Sequence, residues 1–183
     1  MSLLDLWLPV LLSSVAVFFA SFVAWTILPH HKKDWRCLPD HDAFADAMKQ
    51  LDIPPGQYLY PNVATNAEMK EEAYQQRFKD GPWGTLSVWP AAPNMGSNLL
   101  RTFSLYVLIS VTVAYLSTLS SLKTDSSFMD VFRFAGTAAV TAYCFGMLQN
   151  AIWFKQRVLN DLIDGVVYGL ITGAIFAALW PAA

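Results

Sequence analysis

Apolar positions along this chain are concentrated in four long runs, and most of the charged positions lie in the segments between them. The runs are Leu8–Leu28, Leu99–Leu119, Phe134–Phe154 and Leu162–Trp180. At 1.5 Å rise per residue, a helix of about twenty residues covers roughly 30 Å, the hydrocarbon thickness of a bilayer. Each run therefore predicts a membrane-spanning helix. Tryptophans at run ends (Trp7, Trp25, Trp153, Trp180) fit the headgroup boundary, where an indole buries its ring and keeps its N–H wet. A soluble core built from four such helices would lack enough polar chain to cover it. The first run reads as a retained anchor and not a cleaved signal, because MSLLDLW holds no Lys or Arg and carries Asp5. The expected architecture is an α-helical integral membrane protein: a first span over residues 1–28, a water-facing α+β segment over 29–98, and a three-helix transmembrane bundle over 99–183.

The intervening segment patterns as a small folded unit. HDAFADAMKQL (His41–Leu51) sets Phe44, Met48 and Leu51 on one helical face, with Asp40 or Asp42 placed to cap it. Thr65–Lys79 predicts a second, strongly charged helix with a Thr65/Glu68 capping box, ended by Asp80-Gly81-Pro82. GTLSVW (Gly84–Trp89) alternates as a strand does and pairs with Gln57–Tyr60. Two short helices and two strands make too little core to stand alone, so the segment is expected to rest on a membrane face or a partner. Its aromatic residues (Tyr58, Tyr60, Tyr74, Phe78, Trp83, Trp89) read as core of that unit before they read as a ligand cage.

Charge adds orientation. Only 14% of residues are charged and the net charge is −2, so no basic field points to nucleic acid. Lys32, Lys33, Arg36, Arg101, Lys155 and Arg157 flank the spans on one side, against Lys123 and Arg133 on the other. The excess predicts a cytoplasmic 29–98 segment with both termini outside. Cys37 lies in a polar segment and Cys144 within an apolar run, so no disulfide is expected.

Candidate packing and chemistry come last. Gly165, Gly169, Gly173 and Ala177 recur every four residues, a small-residue stripe for close helix approach; Ala138, Ala142 and Gly146 form a similar series in the third run, as do Ala16, Ala20 and Ala24 in the first. Arg101, Gln149, Asn150 and Asp164 fall near one end of the spans and predict an intramembrane polar cluster, with Arg101–Asp164 as its pair. His30, His31, Cys37 and His41 are weak metal-ligand candidates: the residue types are right, the spacing matches no established zinc pattern, and a basic collar attracted to headgroups explains the stretch equally. No phosphate loop, nucleophile elbow or HExxH is present, so no catalytic residue and no cofactor is expected.

The strings ILPHHKKDWRCLPD, PGQYLYP, GPWGTLSV and DGVVYGLITGAIFAALWP together resemble an uncharacterised family of bacterial four-helix inner-membrane proteins. The resemblance implies a bacterial inner (plasma) membrane location and no particular activity. The function expected is a non-catalytic accessory or scaffold subunit of a larger membrane complex, its partners being lipid and other membrane subunits. The alternatives are a small oligomeric transporter or channel using the Arg101/Asp164 cluster, and a membrane enzyme or metal site near His30, His31, Cys37 and His41.

Overall fold

The computed structural model describes residues 2–181. In chain order the elements are α1 (Trp7–Phe22), α2 (His41–Gln50), β1 (Gly56–Tyr60), α3 (Glu72–Asp80), β2 (Gly84–Val88), α4 (Met95–Leu119), α5 (Phe128–Phe154) and α6 (Leu159–Ala178). They form two compact units: Met1–Trp35 with Asn94–Ala183, and Arg36–Pro93.

The larger unit is a four-helix bundle whose helices are all long and apolar enough to cross a membrane; the first of these is α1 with its flanking turns, Leu3–Ile27. Two helices begin earlier than hydropathy predicts because polar side chains cap them. Asn94 accepts from the Ser97 amide at 2.9 Å at the start of α4, and Ser127 accepts from the Asp130 amide at 3.2 Å at the start of α5. Lys155 adopts a left-handed backbone conformation (φ 54°) that ends α5 and turns the chain tightly into α6.

Neighbouring helices run antiparallel. Ser13 of α1 hydrogen-bonds Ser110 of α4 at 3.0 Å, and Phe18 packs edge-on against Phe103, so rising numbers on α1 meet falling numbers on α4. Polarity is inverted relative to a soluble bundle. Ser13, Ser14, Ser21, Ser110, Ser117 and Thr172 are buried, whereas Phe19, Leu108, Phe145 and Leu170 are exposed on the outer surface. All of these hydroxyls but Ser110 donate back to helix carbonyls, as Ser117 does to Val113 (2.8 Å) and Thr172 to Tyr168 (2.9 Å).

The α6 glycine stripe lies against α5. A Cβ at Gly165 would sit 2.7 Å from Cys144 Sγ, one at Gly169 2.8 Å from the Val140 amide nitrogen, and one at Gly173 2.8 Å from Gly136 Cα. The matching row on α5 is therefore Phe132, Gly136, Val140 and Cys144. The expected α5 series is corrected: Ala142 and Gly146 are exposed, and nothing lies within 4 Å of a Cβ built on Gly146. Both rows recur every four residues, and only the one in phase with Gly136 meets α6 backbone to backbone.

The smaller unit holds α2, α3 and an antiparallel β1–β2 ladder running from Gly56↔Val88 to Tyr60↔Gly84. Asp40 caps α2 by accepting from the Ala43 amide at 2.9 Å. The second helix is shorter than expected. Thr65 and Glu68 make their box (2.7 Å), but it starts only a short 3-10 turn; extended backbone at Glu71 breaks the chain before α3 begins at Glu72. Gly81 (φ 73°) ends α3 in a conformation that disfavours side chains. Tyr74 is the unit's one buried hydrophobic side chain, while Trp83 and Trp89 are more than half exposed.

The stripe yields a test. Gly173→Ala drives a methyl into the Gly136 backbone and should cost about 1–3 kcal/mol, against a small effect for Gly146→Ala. Unfolding titrations in mild detergent compare the two.

Candidate metal centre

The site is assembled where α1 ends. Its last turn, Val23–Ile27, is π-helical, and the Leu28 amide donates to Val23 O at 3.0 Å. Such turns hold an extra residue and recur at functional sites. Pro29 stops the helix, and a 3-10 turn over His30–Lys33 follows. This turn sets two adjacent histidines beside the first turns of α6.

Asp164 receives both. His30 Nε2 lies 3.0 Å from Asp164 Oδ1, and His31 Nε2 lies 3.0 Å from Oδ2. The Tyr168 hydroxyl donates to Oδ2 at 3.2 Å. Asp164 and His31 are buried and His30 is half-buried. On the far side of its ring, His31 Nδ1 is 2.7 Å from Asp34 Oδ2. Asn160 holds Asp34 in turn, donating to Oδ1 at 2.9 Å and to the His30 carbonyl at 2.9 Å. Arg157 donates to the Lys33 carbonyl at 2.9 Å, and the Trp25 indole stacks on His31 with centroids 3.9 Å apart and planes 9° from parallel. The His31 ring is thus fixed in plane, tilt and position.

Electrostatics follow from these contacts. Burial alone would lower the pKa of His31, but the carboxylates of Asp164 and Asp34 outweigh it and hold the imidazole above its ordinary value. Asp34 is held below the usual carboxylate range, first by the Asn160 amide and then by His31. An imidazole with an ionised carboxylate at each nitrogen satisfies both only by carrying two protons, unless a cation replaces the one on Nε2.

The donor set fits such a cation. The ligand atoms of His30, His31 and Asp164 all lie within 4.8 Å of one another. Bonds of roughly 2.0–2.2 Å to a tetrahedral ion place its ligands about 3.3–3.6 Å apart; the two imidazole–carboxylate contacts are 3.0 Å, each to a different oxygen, so an ion would replace both hydrogen bonds as the groups shift to surround it. Metal-bound imidazoles typically donate their other N–H to a carboxylate, which fixes the tautomer, and Asp34 occupies that position on His31.

Beneath Asp164, Tyr168 packs edge-on with Tyr143 and Tyr106 at centroid distances of 5.7 and 6.1 Å. Among the described residues, the buried Tyr143 hydroxyl has no hydrogen-bond partner.

The predicted polar residues do not meet as expected. Asp164 pairs with histidines; Arg101 is exposed on α4 and makes no ion pair among the described residues, and Gln149 and Asn150 are also exposed. The reason lies in the outward face that α4 gives Arg101, whereas Asp164 faces the turn that follows α1. Of the metal candidates, His30 and His31 come together; Cys37 and His41 belong to the smaller unit and are exposed. The sequence reading missed Trp25, Asp34, Asn160 and Tyr168. A signal for two of them exists: Asn160, Asp164, Tyr168 and Thr172 recur every four residues and so share one face of α6, alongside the glycine stripe.

No family model, curated protein or solved structure matches the chain. The resemblance in the motif strings therefore brings no activity to the site.

Asp164→Ala deprives two imidazoles of their common acceptor and should cost about 1–3 kcal/mol. A double-mutant cycle of His31→Ala with Asp164→Ala should show coupling on the order of 0.5–3 kcal/mol, whereas Arg101→Ala with Asp164→Ala should be additive. Denaturation in micelles measures both cycles.

Proposed function

We infer that the chain is a multi-pass membrane protein that holds a divalent transition-metal ion, zinc by its donor set, at the basic end of its helical bundle. The observation that carries this reading is the convergence of His30, His31 and Asp164 from distant parts of the sequence, with Asp34 placed behind His31. Two imidazoles and one carboxylate suit zinc, and the same set with open positions also serves ferrous iron. Three protein ligands leave a further position for water or substrate, the ligand count of catalytic and not of structural zinc. The membrane part of the reading is supported by four helices of spanning length and by an apolar outer surface around a hydroxyl-rich interior.

Elemental analysis of protein purified without added chelator should find one dominant transition metal. His30→Ala, His31→Ala and Asp164→Ala should each abolish its retention, and Asp34→Ala should weaken affinity about 10–100-fold. Failure to take up zinc, iron, manganese or cobalt in micelles would reduce the cluster to a hydrogen-bonded clasp.

The metal end lies beside Lys32, Lys33, Lys155 and Arg157, and this excess of basic residues supports a cytoplasmic face for it, with both termini outside. The motif resemblance favours the bacterial inner membrane as that membrane. A cysteine at Gln75→Cys, with Cys37→Ser and Cys144→Ser, should resist impermeant maleimide in intact cells and react after lysis. Equal labelling in both would invert the orientation.

A second reading, an accessory subunit of a larger membrane complex, is favoured by the smaller unit. One buried hydrophobic side chain is little core for a self-standing fold, and its exposed Trp83, Trp89 and Phe78 suit a partner surface.

A further inference from the structure

A groove of about 520 Å³ runs between the last turns of α1 and the first turns of α6. Phe19, Ala20, Val23, Leu28, Ile163 and Val167 make its apolar walls. Its polar residues are His30, Asn160, Asp164 and Tyr168, all of which belong to the cluster described above. One cavity therefore joins an oily slot to the metal centre.

We propose that this groove seats one acyl chain of an anionic phospholipid, with the headgroup phosphate at the His30 end. The proposal rests on the membrane reading above and names the ligand class that the site faces. Length is the first argument. From Phe19 to Leu28 an α-helical rise of 1.5 Å per residue gives an upper bound of about 13.5 Å, which the π-helical turn shortens, still most of the roughly 15 Å depth of one leaflet's hydrocarbon. Exposure is the second. Phe19, Val23, Ile163 and Val167 are 40–62% exposed, so the groove opens outward to the medium around the bundle, which in a bilayer is lipid. Charge is the third. The turn at the polar end carries Lys32 and Lys33, Arg157 is tied to it by hydrogen bond, and Lys155 is close in sequence, so with His30 and His31 the basic groups near that end outnumber the carboxylates of Asp34, Asp161 and Asp164. A metal at His30, His31 and Asp164 with an open position adds another acceptor for a phosphate oxygen. Phosphatidylcholine would bring a quaternary ammonium into the same basic surroundings, which disfavours it.

Native mass spectrometry tests this on the full chain released from nanodiscs containing equal phosphatidylglycerol and phosphatidylcholine. A single phosphatidylglycerol should survive on the protein at collision energies that strip other lipids. Val167→Trp and, independently, Ala20→Leu fill the slot and should abolish that adduct. Leu108→Trp, on the exposed outer face of α4, should leave it in place. Zinc content and circular dichroism of the same samples separate the outcomes. Adduct lost with zinc and helicity unchanged supports the groove. Adduct present on a protein without zinc sustains the groove and sinks the metal reading. No preference for phosphatidylglycerol in the wild type, or equal loss in Leu108→Trp, overturns the proposal. If Val167→Trp misfolds, Ala20→Leu decides.

Discussion

A buried carboxylate at the end of an apolar bundle is tolerable only if something satisfies its oxygens, and Asp164 finds those partners mainly outside its own helix. The two imidazoles among them belong to the turn following α1, so the electrostatic requirement of α6 fixes where the chain must go after its first long helix. Asn160 and Arg157 then bind the carbonyls of that same turn, and Asp34 holds the second nitrogen of His31. The path from Trp25 to Asp34 is thus held mainly by the groups around one charge, and much less by hydrophobic burial.

The bundle makes this arrangement possible through its inverted interior. Glycines on α6 bring its backbone against α5 at Gly136 and Val140, and buried serines join α1 to α4. Packing through small residues leaves large side chains to face outward, which is how helices associate when the surroundings are as apolar as they are. It also leaves room near the axis for the three tyrosines under Asp164. At the other end of the bundle, the Trp180 indole donates to the Lys123 carbonyl at 2.8 Å, tying the end of α6 to the connection between α4 and α5.

How much of this can be read in the chain depends on the range of the interaction. Helices are announced by contiguous apolar runs, and caps such as Asp40 and the Thr65/Glu68 box are local, so both are legible. The α6 stripe shows in its spacing. Its partner row on α5 does not, because the row that meets it (Phe132, Gly136, Val140, Cys144) is bulkier than the Ala138, Ala142 and Gly146 series two residues away, and only the facing backbone chooses between them. The site is harder still. Asp164 carries an obvious need for a partner, but whether Arg101 or the histidines supply it depends on which way α4 and α1 turn their faces, a tertiary fact with no sequence period. Asn160 and Tyr168 were within reach, since they share a four-residue interval with Asp164; Trp25 was not, because its ring reaches His31 only through the π-helical turn.

That turn has a consequence for how the chain tolerates length changes. Ala24 is locked in the bundle and Asp164 in α6, so the residues between Ala24 and His30 act as a gauge block of set size. Each residue added to or removed from a helix shifts everything after it by about 100° in azimuth and 1.5 Å in height. A single insertion or deletion there would swing the histidine pair out of phase with the carboxylate, although every ligand remained in the sequence. The connection between α4 and α5, remote from the cluster, bears no such angular constraint. The phasing of this short stretch, more than the identity of most of its residues, is what keeps the three donors facing one another.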